Sequence, residues 1–193
     1  MHTLSSAFVL GYHGCDATVA EGLLAGRDFV GSANDYDWLG KGIYFWEANP
    51  RRGLEYAQEL VGLKRNPQIR EPAVIGAVLD LGLCLDLTTS AGLEHVLDAY
   101  SRLRDTHLTA DIGLPKNSSD YLRRNLDCAV INLLHKIRED EGLTRIDSVK
   151  GIFVEGSPIY PGAGFHNKTH SQICVGNADC IKGVFRVPNR FLG

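Results

Sequence analysis

The sequence has no excess of basic charge: 20 Lys+Arg stand against 23 Asp+Glu, a formal net charge of −3 over 193 residues. That excludes a strongly basic nucleic-acid binder, though not a nucleic acid held briefly as a substrate. No apolar run approaches the length that spans a bilayer, and no basic segment followed by a long apolar stretch opens the chain. The five cysteines, Cys15, Cys84, Cys128, Cys174 and Cys180, are odd in number and contain no C-x-x-C pair. This usage points to a reduced, cytoplasmic protein without a membrane partner rather than a secreted disulfide scaffold. Seven histidines are scattered without metal-ligand spacing, and no H-E-x-x-H occurs, so no metal is expected. Gly40-Lys41-Gly42 and Gly162-Ala163-Gly164 both lack the third glycine of a dinucleotide fingerprint. A phosphate loop and a G-x-S-x-G elbow are missing too. With no repeat and no linker, residues 1–193 read as a single domain.

What is present centres on Trp38-Leu39-Gly40-Lys41-Gly42-Ile43-Tyr44-Phe45-Trp46-Glu47. Two glycines around a lysine feed a run with the β-branched and aromatic character of a buried strand. A loop held by a rigid strand is a common setting for a binding site, and a hairpin turn entering a core strand is the plainer reading. Residues 7–14 read as a strand ending at a glycine turn, followed by a short helix capped by Asp16. Asn49-Pro50 starts a second helix, with Leu54, Ala57, Leu60 and Val61 as its stripe and Lys64-Arg65-Asn66-Pro67 as its end. Residues 73–79 and 83–87 read as strands, and Ser90 opens a helix carrying Leu93, Val96, Leu97 and Tyr100. Residues 105–119 read as a loop, and the strongest helical periodicity runs from Asp120 to about Glu141. A strand at 151–155, a long Gly/Pro loop at 156–169, and two strands at 171–175 and 181–187 joined by a turn at Gly176-Asn177 complete the chain. Strands at both ends with helices between them argue for an α+β fold. The helical insertion spans about 88–147.

Three short motifs remain: Tyr12-His13-Gly14, Gly40-Lys41-Gly42-Ile43-Tyr44-Phe45 and the strand Ser171-Gln172-Ile173-Cys174-Val175. Together they resemble the catalytic domain of poly(ADP-ribose) polymerases and diphtheria-toxin-like ADP-ribosyltransferases. The resemblance covers residues 8–60 and 150–187; the stretch 64–147 has no place in it. It implies a split, mostly antiparallel sheet with a cleft for NAD, which is consumed as a substrate. It also implies roles for individual residues. His13 would bond the adenosine ribose, its ring offering a donor and an acceptor. Gly14 would present its backbone to the nicotinamide carboxamide. Tyr44 would stack on the nicotinamide ring, with Gly42 shaping the loop before it. Tyr56 falls near a second stacking position and reads equally well as core.

Gln172 departs from the pattern, because it stands where the family has a glutamate. A carboxylate on the 2′-hydroxyl strengthens its interaction as positive charge develops on the sugar. Glutamine offers the hydrogen bond without the charge and without a base. The expectation is therefore mono-ADP-ribosyl transfer, with His13, Tyr44 and Gln172 as the catalytic set and an unidentified protein or nucleic-acid acceptor. Of the carboxylates that could substitute, Glu47 at the exit of the Tyr44 strand is preferred to Glu155, and both also read as solvated charges. Lys168 and His170 read as exposed loop residues, with phosphate or acceptor contact as the functional alternative. Asn34, Asp35 and Asp37 lie in a loop that borders the cleft in the family, and turn chemistry explains them equally well. Two rivals stand: a degenerate module that binds NAD or ADP-ribose without chemistry, and an RNA-directed transferase of the same fold. The latter calls for a basic groove, and the one concentrated positive stretch is 64–70. No motif specifies the acceptor, an inhibitory partner or a toxin role.

Overall fold

Side-chain caps set where the helices begin. In the computed structural model, which describes residues 8–63 and 68–193, β1 (Val9–Asp16) runs straight into α1 (Ala17–Leu24). Asp16 Oδ1 accepts from the backbone N–H of Thr18 at 2.9 Å and caps that helix. Asn49 does the same for α2 (Pro50–Glu59), accepting from Arg52 N at 3.0 Å with Pro50 in the first helical position. β2 (Ile43–Glu47) lies between these helices. The chain continues through β3 (Pro72–Leu79), β4 (Cys84–Asp86), α3 (Ser90–Thr109), α4 (Asn125–Asp140), β5 (Ser148–Phe153), β6 (His170–Val175) and β7 (Ile181–Arg186).

Several boundaries depart from expectation. The first strand does not end at Gly14 but continues to Asp16, because all of Val9–Asp16 pairs with β3. α3 reaches Thr109, so the loop after it starts later than residue 105. Its Leu93 and Leu97 are exposed, and Gly92, Ala99 and Leu103 are the buried residues. α4 starts at Asn125 rather than Asp120. The Asp120 carboxylate instead caps a turn at Leu122 N, while Asn117 Oδ1 reaches Leu126 N at 2.9 Å. On α2, Arg52, Gly53 and Ala57 are the buried residues, and Val61 beyond the helix is exposed. The expected end of that helix at 64–67 lies outside the described residues, as does most of the basic stretch 64–70.

The seven strands form one mixed sheet in the order β4-β5-β6-β2-β1-β3-β7. Every neighbouring pair is antiparallel except β4 and β5, which are parallel. Parallel neighbours need a long crossover, and α3 and α4 supply it, so the helical segment is the connection between β4 and β5. The sheet is continuous rather than divided, but it narrows to a seam. β1 pairs with β3 over eight residues and with β2 over only two, Gly11↔Glu47 and Tyr12↔Trp46. β6 and β7 are not a hairpin, since β2, β1 and β3 lie between them; Asn177 caps a short 3-10 turn at Ala178–Cys180 instead.

Alternation along the strands sorts the faces. Ile43 and Phe45 of β2 join Ile173 and Val175 of β6 in one apolar cluster, with α1 packing nearby against Cys15 and Ile75. The opposite face carries α2 over β1 and β3, and the α3–α4 pair over β4, β5 and β6, where Leu85, Val149 and Cys174 meet Ala99, Leu103 and Leu134. Between those helical groups the floor made by β2 and β6 is left open. No helix among the described residues is long and apolar enough to cross a membrane.

Candidate active-site cleft

The open floor forms a cleft of about 570 Å³. Tyr44 and Trp46 of β2 share this face with Gln172 of β6, and Trp46 and Gln172 are direct cross-strand partners. α2 contributes Arg52, Tyr56 and Glu59 to one wall, and the turn before α4 contributes Ser118, Asp120, Leu122 and Arg123 to the other. His13, Gly14 and Gly42 also line the cleft, as do Ser32, Asn34, Tyr36 and Asp37 from the loop ahead of β2. The six residues that the resemblance assigns to binding or chemistry, His13, Gly14, Gly42, Tyr44, Tyr56 and Gln172, therefore border one space.

Each is held for a definable reason. Gly14 packs against α2, where a Cβ would overlap the carbonyl oxygen of Gly53. Close helix packing thus demands glycine here irrespective of any ligand. His13 sits where the β1–β2 ladder lapses, and its Nδ1 meets the Tyr44 carbonyl oxygen at 2.9 Å. A carbonyl only accepts, so Nδ1 carries the proton. Burial among Phe29 and Phe45 lowers the His13 pKa and keeps the ring neutral, which makes Nε2 an acceptor. The ring's donor is thus already committed inside the protein; what it can offer outward is a lone pair.

The Tyr44 hydroxyl donates to Gly40 O at 2.8 Å and accepts from Leu39 N at 3.0 Å, pinning the loop to the strand it precedes. Burial drives its pKa far above the usual phenol value, so it stays protonated. Gly40 adopts φ +81°, which other residues resist, and a Cβ at Gly42 would lie 2.6 Å from Val175 O. The loop serves both readings of it, as a tight turn and as a cleft wall. Tyr56 meets Trp46 at 4.8 Å between ring centroids, so part of its face is packed and part borders the cleft.

Other cleft residues were not singled out. Trp46 follows Tyr44 by two, and strand alternation alone places it on the same face. Trp38 lies against Phe153 at 5.3 Å and donates its indole N–H to Gln172 Oε1 at 2.7 Å. Arg52, 4% exposed, pairs with Glu59 at 3.2 Å and Glu155 at 3.0 Å. No pattern signals a buried arginine on a helix with so polar a sequence.

Two sequence expectations are corrected. Glu47 is not the cleft carboxylate: it pairs with Lys150 at 2.8 Å and accepts from Ser171 Oγ at 2.7 Å, away from the cleft. Glu155 lines the cleft instead, brought inward by Arg52. His170 is not an exposed loop residue: it opens β6, is 6% exposed, and stacks on Phe153 at 5.5 Å. Burial lowers its pKa. Lys168 is drawn to Glu59 at 2.8 Å. Residues 156–169 form a loop, as expected, tied by a bridge between Pro158 and His166 and by Ile159 N donating to Phe165 O.

One feature sets the cleft apart from the rest of the molecule. Buried polar side-chain atoms are nearly always hydrogen-bonded. Among the described residues three are not: Trp46 Nε1, Arg52 Nε and His170 Nε2. All three belong to residues that line this cleft. By contrast burial pushes the Cys15 and Cys174 thiols up to about 12, which disfavours the nucleophilic thiolate.

No family model matches the chain, and no solved structure matches it. The chain is similar to an uncharacterized protein of Methanocaldococcus jannaschii, MJ0359, with 26% identity over 189 residues, covering 89% of this chain and 83% of that protein.

Proposed function

We propose that the chain cleaves NAD at the nicotinamide–ribose bond and transfers a single ADP-ribose to a macromolecular acceptor. The observation that carries this reading is the convergence of the three motifs. His13, Tyr44 and Gln172, far apart in sequence, border one cleft, Tyr44 and Gln172 on its floor and His13 at the β1–β2 seam with its ring packed on Phe29 and Phe45. Its size suits a ligand of this class. Neutral His13 would accept a hydrogen bond from a hydroxyl of the adenosine ribose. The aromatic faces of Tyr44 and Tyr56 would receive the nicotinamide ring, with Gly14 alongside. Gln172 would orient the reacting ribose. As the glycosidic bond breaks, its electron pair leaves with nicotinamide and positive charge develops on the sugar. The acceptor's lone pair then bonds to the same carbon, and its proton passes to solvent or to Glu155.

Glu155 supports transfer to an acceptor, because it is a carboxylate on the cleft wall even though Gln172 is not. The lack of a carboxylate at Gln172 supports the rival reading, a module that binds NAD or ADP-ribose without turnover. Incubation with NAD and measurement of released nicotinamide separates the two. The transferase reading expects release that Gln172→Ala abolishes; binding without release by the wild-type protein overturns it in favour of the module. Labelled NAD offered with protein and RNA pools then identifies the acceptor class, and label entering RNA favours the RNA-directed reading.

A further inference from the structure

The conformation of Gln172 is not left to the ligand. Its amide oxygen lies 2.7 Å from the Trp38 indole nitrogen. An indole N–H only donates, so the atom it meets is the oxygen, and the NH₂ end is the one left to face elsewhere. Trp38 is in turn wedged in place. Arg124 lies over its ring at 4.9 Å and Phe153 packs against it at 5.3 Å. Its six-membered ring covers Gly151, the β5 partner of Gln172, where a Cβ would stand 2.8 Å from Trp38 Cη2. β5 therefore omits a side chain at the one place the indole must lie flat to reach Gln172.

We propose that Trp38 is a positioning residue that fixes the Gln172 amide with its oxygen turned to the indole and its NH₂ turned to the substrate. The proposal rests on the NAD reading of the cleft. Gln172 Oε1 keeps a second lone pair beside the indole N–H, so one ribose hydroxyl can donate to the oxygen while another accepts from the NH₂. A freely rotating glutamine would present either end, and only one serves a given pose. Orientation is thus built in before the substrate arrives, which lowers the ordering cost of the reacting complex. The alternative is that Trp38 only fills the space above Gly151.

Trp38→Phe keeps an aromatic ring in the slot and removes the N–H. Nicotinamide release from NAD should fall in kcat by about 5- to 10-fold, the scale of one hydrogen bond, with KM changed by less than about 2-fold. Gly151→Ala, which displaces the indole without altering it, should give a similar loss. In a Gln172→Asn background, where the shortened amide no longer reaches the indole, Trp38→Phe should have almost no further effect. Thermal melts establish that each variant is folded. Unchanged kcat in folded Trp38→Phe overturns the proposal, and so does an equal fall in both backgrounds, which marks a space-filling role. A wild-type protein that neither binds nor cleaves NAD overturns the dinucleotide reading, and this proposal with it. Wild-type turnover with an unaffected Trp38→Phe overturns this proposal alone.

Discussion

Two ends of one cleft are built on opposite terms. Around Tyr44 and Gln172 the key polar contacts are closed inside the protein: Tyr44 hydroxyl to Gly40 and Leu39, His13 to the Tyr44 carbonyl, Trp38 to Gln172. Around Trp46, Arg52 and His170, three buried nitrogens have no partner. The first end is pre-organised, with its groups set before anything binds. The second carries buried polar atoms with unmet hydrogen-bonding capacity, which costs stability in the folded protein. The difference teaches that rigidity and unsatisfied polarity can occupy neighbouring parts of one pocket, one fixing geometry and the other leaving polar atoms without partners.

The largest effect should come from breaking the charged part of the second end. Arg52→Ala leaves Glu155 on the cleft wall without its cation and should destabilise the fold by about 3 kcal/mol, read by urea denaturation. A loss below about 1 kcal/mol would show that the pair is solvated and the contrast overstated. Next is the join between the ends. Gly14→Ala drives a methyl group into the Gly53 carbonyl and should cost about 2 kcal/mol by the same measurement. On the pre-organised side, Tyr44→Phe strands Leu39 N and Gly40 O and should cost about 1 kcal/mol. It should also speed amide hydrogen exchange at residues 39–42, while Phe153 and His170 stay protected.

The smallest effect is expected from pH. Burial lowers the pKa of His13, His135 and His170 below the usual 6.5. The unfolded chain therefore takes up protons below about pH 6.5 while the folded one does not, and stability falls as pH drops from about 7 toward 5. Melting temperature measured across that window should decline, and His170→Gln should flatten the decline. An unchanged slope in that variant would show that the unpartnered ring carries no share of it.

The sequence exposed the parts of this molecule that local chemistry controls. The Asn49-Pro50 helix start and the Asp16 cap are local hydrogen bonds, and residue type reveals them. The Tyr44 strand is legible because its whole length is apolar or aromatic. What stayed hidden was decided at a distance. β6 and β7 follow each other in the chain yet are separated by three strands in the sheet, because strand pairing is not encoded by proximity. Asp120 has the chemistry of a helix cap, but Asn117 reaches the orphan N–H groups first. Of the cleft, His13, Gly14, Gly42, Tyr44, Tyr56 and Gln172 were nameable through short motifs. Arg52 was not, because a polar residue is expected outside until tertiary structure supplies its counter-charge; His170 was named, but as an exposed residue, because nothing local signals its stacking on Phe153. Strand alternation from Tyr44 puts Glu47 at the strand's exit, but ion pairing decides which carboxylate turns inward: Glu47 meets Lys150 and Glu155 meets Arg52.

The place of β6 in the sheet has a kinetic corollary. It is the sole bridge between β5 and β2, yet it joins residues near position 45 to residues near 173, with the α3–α4 crossover also in between. Loops of that span are slow to close. Until β6 docks, β2 presents a bare edge and the aromatic floor of the cleft has no far side. The floor of the cleft is therefore expected to be completed late in folding, once β6 has paired with β2.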